Sequence, residues 1–302
     1  MKKRISIFIL AAFTAASMLL AQQEDGTVSL RIMTYNIRHG AGMDDVLDLD
    51  RQARVIQDAT PDVVGLQEVD SMVKRTGYIN ETGILAKSLG MYGTFGPAIP
   101  LTGGKYGVAI LSKERPLSVR NIPLPGKEAR TLLVCEFREY VFACTHLDLE
   151  EANRLTSVTI ITEEAARWDK PFFICGDWND YPTSTLISKM KRSFVLLNNI
   201  TNNPANYTFP AGKPTSIIDY IASYGRIARS VRNRKVINEP EASDHRPVTV
   251  DVKFDGYTGI QAPVSPVPSR YGGEAYDLSG RKLAVPLPRG LHIISGKKVV
   301  AK

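Results

Sequence analysis

Short apolar runs recur along this 302-residue chain, each rich in β-branched or aromatic residues and bounded by Gly, Pro, Asn or Asp. Such runs predict β-strands. Several are apolar without interruption, which is typical of strands covered on both faces, so the predicted sheet needs further layers. The eight predicted strands are residues 29–36, 62–67, 108–111, 132–137, 140–145, 172–175, 217–222 and 248–254.

Four segments between these runs predict helices. Asp50 precedes the first helix as an N-cap, and Gly90 ends the second. In the third, apolar residues recur at three-to-four spacing, which places Arg154 on the surface or at a sheet edge. The predicted helices are residues 51–59, 82–89, 150–168 and 183–193.

The order of these elements is mixed. A strand–helix–strand unit comes first, and adjacent strands follow, among them a hairpin of residues 132–137 and 140–145. A purely parallel sheet would alternate strands and helices throughout. The pattern therefore predicts an α/β fold in which two packed mixed β-sheets are flanked by helices.

The N-terminal segment predicts a secretory signal peptide of residues 1–21. Three basic residues at positions 2–4 precede an apolar run at positions 5–20, and a polar sequence follows. This order is typical of exported proteins. The apolar run is short for a membrane span, and an uncleaved N-terminal anchor is the alternative.

Composition changes after the predicted main domain, residues 22–258. Residues 259–273 contain three prolines and predict an extended linker. Residues 274–302 alternate strand-like runs with Ser-Gly pairs, which predict hairpin turns in a small β-rich tail. The segments YDLSGRKL and GLHIISGKKVVAK resemble the C-terminal sorting-type tails of bacterial cell-surface proteins, and a plain β-rich extension is the alternative.

The net charge of +7 is unevenly distributed. Of the 38 Lys and Arg residues, three lie before residue 22 and seven after residue 258, whereas only two of the 31 acidic residues lie outside these limits. Residues 22–258 therefore carry 28 basic and 29 acidic side chains. A protein that binds the nucleic-acid backbone usually has a basic surface, so this balance argues against nucleic acid as the main partner.

The three cysteines, Cys135, Cys144 and Cys175, all lie in apolar strand-like runs. An odd number in an exported protein allows one disulfide and one spare thiol. We favour three buried small side chains, because the runs are typical of central strands.

Six short motifs gather Asn, Asp, Glu and His at the ends of the apolar runs. Strand ends present polar side chains to a ligand without burying unpaired charge. Each motif alone is ordinary, but together they indicate one shared polar site. In chain order they read MTYNIRHG, GLQEVD, CTHLD, ICGDWND, IIDYI and SDHRP.

With these motifs in this order, the chain resembles the endonuclease/exonuclease/phosphatase superfamily, which includes DNase I-like nucleases, inositol-phosphate 5-phosphatases and neutral sphingomyelinases. The resemblance covers residues 29–254. It implies a DNase I-like, four-layer α/β sandwich with one catalytic cleft. The segments GLQEVD, RTG and GGKYGVAILSK are similar to those of the small bacterial phosphodiesterase-like branch.

The resemblance also implies a divalent-metal site. Glu68 matches the metal-binding glutamate, Asn36 matches the asparagine beside the metal, and Asp244 lies next to it. Magnesium is usually held by a carboxylate together with waters and substrate oxygens. The expected ion is Mg²⁺, with Mn²⁺ as the alternative.

Catalytic roles are implied for six more residues, carried over one by one. Asp177 would orient or deprotonate the attacking water, and Asn179 would donate a hydrogen bond to a phosphate oxygen. His245 would contact the phosphate or transfer a proton, and Asp219 would orient it. His146 matches a candidate acid for the leaving group, and Tyr106 matches a phosphate-contacting tyrosine.

One position departs from the nuclease pattern. Asp70, two residues after the metal glutamate, stands where DNase-type members tend to carry a phosphate-binding arginine, so it weakens the nuclease assignment. Asp70 is expected to be a surface carboxylate. Arg75 or Lys105 is the alternative source of positive charge, although each is more typical of a solvated surface.

The expected function is an exported, metal-dependent hydrolase of a phosphodiester or phosphomonoester, found in the periplasm, at the cell surface or outside a bacterial cell. Its substrate would be a small molecule or a lipid headgroup. The protein would be a monomer, and the tail would associate it with the cell surface. A secreted DNase- or RNase-type endonuclease is the first alternative. A non-catalytic surface protein is the second, and the complete set of motif residues argues against it.

Overall fold

The structure is a computed structural model that describes residues 26–257 and the tail segments 275–276, 282–283, 290–294 and 297–301. The chain divides into two compact units, with the boundary between Tyr257 and Thr258. The predicted signal peptide, residues 1–21, and the predicted linker, residues 259–273, lie outside the described residues. Within the described residues, no helix combines the length and the apolar character needed to cross a membrane.

Two six-stranded sheets form the larger unit, in the orders β11-β12-β1-β2-β4-β3 and β5-β6-β7-β8-β10-β9. Only the pairs β1–β2 and β7–β8 are parallel among the described strands of these sheets, and the other neighbours are antiparallel. The strands are β1 (Thr27–Asn36), β2 (Val63–Ser71), β3 (Tyr92–Leu101), β4 (Gly104–Ser112), β5 (Ser118–Leu124), β6 (Arg130–Glu136), β7 (Val141–His146), β8 (Phe172–Asp177), β9 (Phe194–Leu196), β10 (Asp219–Tyr224), β11 (Ala228–Val236) and β12 (Val248–Asp255).

Four helices cover the outer faces of the sheets: α1 (Leu49–Ala59), α2 (Glu81–Leu89), α3 (Glu151–Ala165) and α4 (Thr185–Met190). Buried side chains of α1 and α2 pack on the first sheet, and those of α3 and α4 pack on the second. A third apolar cluster, with Ile32 from the first sheet and Phe173 from the second, fills the space between the sheets. The predicted four-layer sandwich is therefore confirmed.

The helix bounds differ from the predictions by a few residues. Asp48, rather than Asp50, caps α1, because its carboxylate accepts a hydrogen bond from the backbone N–H of Asp50. Gly90 ends α2 in the left-handed conformation, as expected. The third helix stops at Ala165 rather than 168, and the fourth starts only at Thr185, after its N-cap Ser184.

The prediction of a surface or sheet-edge position for Arg154 is wrong. Arg154 is buried, and its guanidinium lies 3.1 Å from Asp180 Oδ2 and donates to the backbone oxygens of Asp148 and Leu149. Because the loops after β7 and β8 fold over α3, a position at the start of the helix is covered by chain outside the helix. Periodicity within the helix does not report that contact.

The interpretation of the cysteines as buried small side chains is confirmed, since all three are free and buried. Cys144 and Cys175 are neighbours on β7 and β8. Gly65 on β2 faces them, and a Cβ at Gly65 would lie 2.2 Å from the sulfur of Cys175. The two sheets approach each other here as closely as a glycine allows.

The described tail residues form a four-stranded sheet in the order β14-β13-β15-β16, with antiparallel pairing. Its strands are β13 (Ala275–Tyr276), β14 (Lys282–Leu283), β15 (Gly290–Ile294) and β16 (Lys297–Ala301). The strands on either side of each predicted Ser-Gly turn pair with each other, whereas the turn residues lie outside the described residues.

Candidate active site

Most of the predicted site residues lie at one edge of the sandwich because of strand direction. Asn36 ends β1, and His146 and Asp177 end the parallel strands β7 and β8. Asp219 begins β10, which runs antiparallel to β8, so Asp219 pairs in register with Asp177. Carboxyl ends of parallel strands and amino ends of their antiparallel neighbours meet at the same edge.

Two unusual backbone positions present the carboxylates at this edge. Glu68 has a φ of 57° where the pairing of β2 with β4 shifts register between Leu66 and Val69. Such a bulge re-aims a side chain that strict alternation would direct elsewhere. Gly176 has a φ of 155°, and a Cβ there would lie 1.9 Å from the backbone oxygen of Thr145. Only glycine fits directly before Asp177.

The side-chain amide of Asn36 joins the two sheets. Its Nδ2 donates to Glu68 Oε1 at 3.0 Å and to Asp177 Oδ2 at 3.2 Å. Ser243, next to Asp244, donates from its Oγ to the backbone oxygen of Asn36 at 2.7 Å. The SDHRP motif is thereby held against the end of β1.

His245 lies between two buried carboxylates. Its Nδ1 is 3.0 Å from Asp219 Oδ2, and its Nε2 is 3.5 Å from Asp177 Oδ2. Burial lowers the pKa of His245, but the charges of Asp219 and Asp177 outweigh burial and raise the pKa to about 10. The imidazole is therefore a cation near neutral pH, and both ring nitrogens donate.

Asp177 is almost fully buried, and its environment favours the protonated carboxyl. Burial raises the pKa of Asp177 to about 7, and the charges of Asp219 and Glu68 act in the same direction. His245 and the backbone N–H of Asn179, 2.9 Å from Asp177 Oδ1, oppose the rise. Asp177 consequently titrates close to neutral pH, which suits a group that exchanges protons.

His146 lies on the other side of Asp177 and differs from His245 in charge. Its Nε2 is 3.6 Å from Asp177 Oδ2, and its Nδ1 is 3.5 Å from the hydroxyl of Tyr106. Burial lowers the pKa of His146 well below the usual value, and the positive charges of Arg130 and His245 add to this. The site thus holds one cationic and one neutral imidazole.

Asn179 stands where its motif predicted, directly after β8, in the left-handed conformation with a φ of 51°. Its side-chain amide donates to the backbone oxygen of Leu147 at 2.9 Å. The loops that follow β7 and β8 are therefore tied together beside Asp177.

A cleft of about 290 Å³ opens at this edge and takes in several predicted residues. Glu68, Asp244 and Tyr106 line it, and Lys105 is not among its lining residues. The other lining residues are Arg38, His39, Arg75, Leu101 and Glu128.

A larger concavity, of about 490 Å³, lies near the opposite ends of the strands and contains none of the predicted site residues. The Arg31 guanidinium there is paired with both carboxylate oxygens of Asp251, at 2.6 and 2.9 Å. Its charge is already satisfied within the protein, so the smaller cleft is the candidate site.

The expectation of a surface position for Asp70 is wrong. Asp70 is fully buried, and its two carboxylate oxygens accept from Arg75 Nε and Nη2 at 2.7 and 2.9 Å. The loop after β2 returns over the strand and brings Arg75 to the cleft, so the carboxylate is covered by residues that follow it. Of the two cations proposed from the sequence, Arg75 and not Lys105 lines the cleft.

Arg130 is a further site residue that the sequence did not indicate. It begins β6 and is buried, its Nε has no hydrogen-bond partner, and Asp148 Oδ1 lies 3.9 Å away. Its charge lowers the pKa of His146 and acts on Glu68. Because β6 is antiparallel to β7, its first residue lies at the active edge. A polar residue directly before an apolar run was the available signal.

The carboxylates at this edge fit a cation. Burial raises the pKa of Glu68, and the nearby charge of Asp244 adds to the effect. Asp219 Oδ1 is buried without a hydrogen-bond partner. Among residues 26–257, Asp177, Asp219 and His245 form one group whose ligand atoms lie within 4.8 Å of one another, which makes a possible metal site. Asn36 connects this group to Glu68, one of the predicted ligands.

Comparison with known families decides what kind of site this is. A family model described as Endonuclease/Exonuclease/phosphatase family matches residues 33–245, from the middle of β1 to the SDHRP motif. The chain belongs to the endonuclease/exonuclease/phosphatase family. The members of this family are metal-dependent phosphoesterases, and the protein is a phosphoesterase of the family with a buried Asp177–Asp219–His245 cluster.

Solved structures of this family have the same fold. An endonuclease/exonuclease/phosphatase protein of Beutenbergia cavernae is 22% identical with a TM-score of 0.65, and the match covers 85% of this chain and 79% of that one. A protein of Bacteroides vulgatus is 20% identical with a TM-score of 0.61, covering 75% and 99%. The mannosyl-6-phosphatase of Bacteroides thetaiotaomicron is 17% identical with a TM-score of 0.59, covering 74% and 99%. A comparison with curated protein sequences gives no match.

Proposed function

We propose that the protein hydrolyses a phosphodiester or phosphomonoester of a small molecule or lipid headgroup by in-line attack of water on phosphorus. One observation carries the proposal. Asp177 Oδ2 lies 3.2 Å from Asn36 Nδ2, 3.5 Å from His245 Nε2 and 3.6 Å from His146 Nε2. A carboxylate oxygen on which an amide and two imidazoles converge is placed to orient a water molecule and to take its proton.

The electrostatic environment supports Asp177 as the general base. A carboxyl with a pKa of about 7 holds a transferred proton better than an ordinary aspartate and is still largely ionised above neutral pH. Asn179 fixes the carboxylate through its backbone N–H. The same residue would donate to the phosphate as charge develops on its oxygens.

Positive charge for the phosphate comes from His245 on one side and Arg130 on the other. Asp219 accepts from Nδ1 of His245 and keeps the imidazole protonated, which directs Nε2–H into the site. The unpartnered Nε of Arg130 offers a second donor. Fixed donors that face the developing charge stabilise a transition state without reorganisation.

We assign His146 and Tyr106 to the leaving-group side. The neutral imidazole and the phenol are 3.5 Å apart and donate hydrogen bonds without adding charge. A bound phosphate would raise the pKa of His146, because a nearby negative charge favours the imidazolium. The proton would then reach the departing oxygen from His146.

We propose that Glu68, Asn36 and Asp244 hold Mg²⁺, with Mn²⁺ as the alternative. Oxygen donors suit these hard cations, whereas a protonated His245 is a poor ligand. When bound, the ion supplies positive charge to the non-bridging phosphate oxygens. The raised pKa of Glu68 supports this choice, because a carboxylate that burial destabilises gains most from a cation.

We also propose that the protein works as a monomer outside the cytoplasm, with its tail at the cell surface. The predicted signal peptide and the sorting-type resemblance of residues 274–302 support the location. A membrane-fractionation experiment with and without residues 274–302 tests it. Release of the truncated protein is expected, and an unchanged distribution would contradict a role of the tail.

The decisive experiment is a phosphoester panel assayed with Mg²⁺, with Mn²⁺ and with EDTA. It includes p-nitrophenyl phosphate, bis-p-nitrophenyl phosphate, sugar phosphates, phosphatidylinositol, sphingomyelin and plasmid DNA. Hydrolysis of at least one small or lipid phosphoester is expected, and this activity should be lost in EDTA. In the His245→Ala variant, kcat should fall by a factor of about 100 or more. Degradation of plasmid alone would support the nuclease alternative, and no metal-dependent hydrolysis would refute the proposal.

A further inference from the structure

The Asp70–Arg75 ion pair beside the cleft has no part in the proposed hydrolysis. Asp70 is fully buried, whereas the side chain of Arg75 is 42% exposed and lines the cleft. A buried carboxylate is costly to desolvate, and its pairing with a half-exposed guanidinium returns only part of that cost. Stability alone therefore gives little reason for the pair, and its position at the cleft suggests a ligand.

Two hydrogen bonds and one ring contact fix the orientation of the Arg75 guanidinium. Nε and Nη2 both donate to Asp70, which gives the planar group the two-point geometry that a lysine cannot make. The backbone N–H of Asp70 donates in turn to buried Glu81 at 2.7 Å. The guanidinium carbon also lies 5.6 Å from the ring centroid of Tyr106.

One nitrogen of this group stays available. Within residues 26–257, the hydrogen bonds of Arg75 use Nε and Nη2, which leaves Nη1 for a molecule in the cleft. Arg75 lies in the loop after β2 of the first sheet, Arg130 begins β6 of the second sheet, and both influence Tyr106. A phosphate beside the Tyr106 hydroxyl would therefore have a guanidinium on each side: Arg75, oriented by Asp70, and Arg130, which lies 3.7 Å from Glu128 and 3.9 Å from Asp148.

We propose that Arg75, held by Asp70, makes the site selective for phosphates that carry two negative charges, which are those of phosphomonoesters. The inference rests on the proposed function and names its substrate class. A monoester dianion interacts with both Arg75 and Arg130 through its terminal oxygens. A diester carries a single negative charge. Its second ester group would place a carbon substituent next to the Arg75 guanidinium, and a carbon substituent cannot accept the hydrogen bond that this group offers.

The test compares p-nitrophenyl phosphate with bis-p-nitrophenyl phosphate at a fixed Mg²⁺ concentration, together with the inhibition constant of inorganic phosphate. In the Arg75→Gln variant, kcat/KM for the monoester should fall about 10- to 100-fold, mainly through KM, as for the loss of one charge-assisted hydrogen bond. The diester should change less than about threefold by the same reasoning, since it makes no such bond. The inhibition constant of phosphate should rise in parallel with KM.

Two further variants separate positioning from charge. Arg75→Lys keeps the charge and loses the two-point contact, so it should lie between the wild type and Arg75→Gln. Asp70→Asn leaves Arg75 in place but releases its orientation, and should raise KM for the monoester with little change in kcat. Lys105→Gln removes an exposed cation that does not line the cleft, and should behave as the wild type.

Arg75→Gln leaves a buried Asp70 without its partner, so each variant is also checked by thermal melting. If this variant does not fold, the Asp70→Asn/Arg75→Gln double variant replaces the ion pair by two amides and serves in its place. Equal losses on both esters, or an unchanged monoester KM, would overturn the inference while hydrolysis itself stands. A wild type that hydrolyses no phosphoester of the panel would instead refute the proposed function, and phosphate binding measured by calorimetry would still test Arg75.

Discussion

Asp219 shows how a residue that does not line the cleft can govern the charge of a site residue. Its side chain is buried and contacts Nδ1 of His245, and it is not among the lining residues. Burial alone would make His245 neutral, and the negative charges of Asp219 and Asp177 make it a cation. The charge of the His245 imidazole is thus decided by carboxylates at the end of β8 and the start of β10.

The Asp219→Asn variant tests this control of charge. An amide keeps the size of the side chain but removes its charge, so burial would lower the pKa of His245 toward neutrality. We expect kcat to fall by a factor of about 10² to 10⁴, as in hydrolases whose orienting carboxylate is replaced, and the alkaline limb of the pH profile to move to lower pH. Asp58→Asn, an exposed change on α1, is the control. An unchanged profile would remove Asp219 from the mechanism.

Single residues of the site were readable from the sequence where a polar side chain follows an apolar run. Asn36, Glu68, Asp177 and His146 all stand at such places. Arg130 precedes its strand and was missed, because the direction of β6 decides which end lies at the cleft. Asp70 and Arg154 were misjudged for a related reason, since the loop after β2 covers Asp70 and the loops after β7 and β8 cover Arg154.

At the scale of elements, the start of α2 supports the cleft through Glu81. Burial raises the pKa of Glu81 to about 8, the charge of Asp70 adds to the rise, and the hydrogen bond from the Asp70 backbone opposes it. Oε1 of Glu81 is buried with no hydrogen-bond partner. Oε2 accepts from the backbone N–H of Asp70, which leaves Oε1 to carry the proton of a neutral carboxyl.

Glu81 should make stability depend on pH. Its pKa is about 8 in the folded protein and near 4.5 in an unfolded chain, so the folded state binds the proton more tightly. The contribution of Glu81 protonation to the stability of the folded protein is complete below pH 4.5 and is lost as the pH rises through about 8. We therefore expect the melting temperature of the wild type to fall relative to that of the Glu81→Gln variant between about pH 5 and pH 8. This range lies between the pKa values of Glu81 in the unfolded and the folded state. Parallel curves for the two proteins would show that Glu81 ionises normally.

The accuracy of strand prediction depended on the place of each strand in its sheet. All eight predicted strands lie in the two six-stranded sheets, whereas β3, β5, β9 and β11 were not predicted, and these are the four edge strands of those two sheets. An edge strand pairs on one side only and tolerates charge and proline. β11 accordingly reads ARSVRNRKV, and β3 contains Pro97 and Pro100.

At the scale of the whole molecule, packing between the sheets brings the two halves of the site together. Asn36 and Glu68 belong to the first sheet, and Asp177, His146 and Asp219 to the second. Phe173 lies in the apolar layer between them, with its ring centroid 5.1 Å from that of Phe254. The thickness of this layer sets the distance between the sheets. That distance allows Asn36 Nδ2 to donate to Asp177 Oδ2 at 3.2 Å.

Phe173→Ala should therefore weaken the whole domain. Removal of a fully buried ring costs about 3 to 5 kcal/mol in free energy of unfolding, which chemical denaturation measures. Leu117→Ala, whose side chain is 64% exposed, is the control and should change stability by less than about 0.5 kcal/mol. If both variants unfold at the wild-type denaturant concentration, the central layer does not hold the sheets together.

The sequence by itself determined the layered α/β class and the interior strands, because apolar periodicity and local turn chemistry act over a few residues. Its polar motifs at the strand ends, and the family resemblance they carry, predicted the side chains of a shared site. The tertiary structure decided which strand ends meet, which carboxylates are buried, and hence the protonation of Asp177 and His245. These properties depend on desolvation and on charges from the opposite sheet. Both come from residues distant in the chain, such as Asn36 and Asp177, which only the packed fold brings within hydrogen-bond distance.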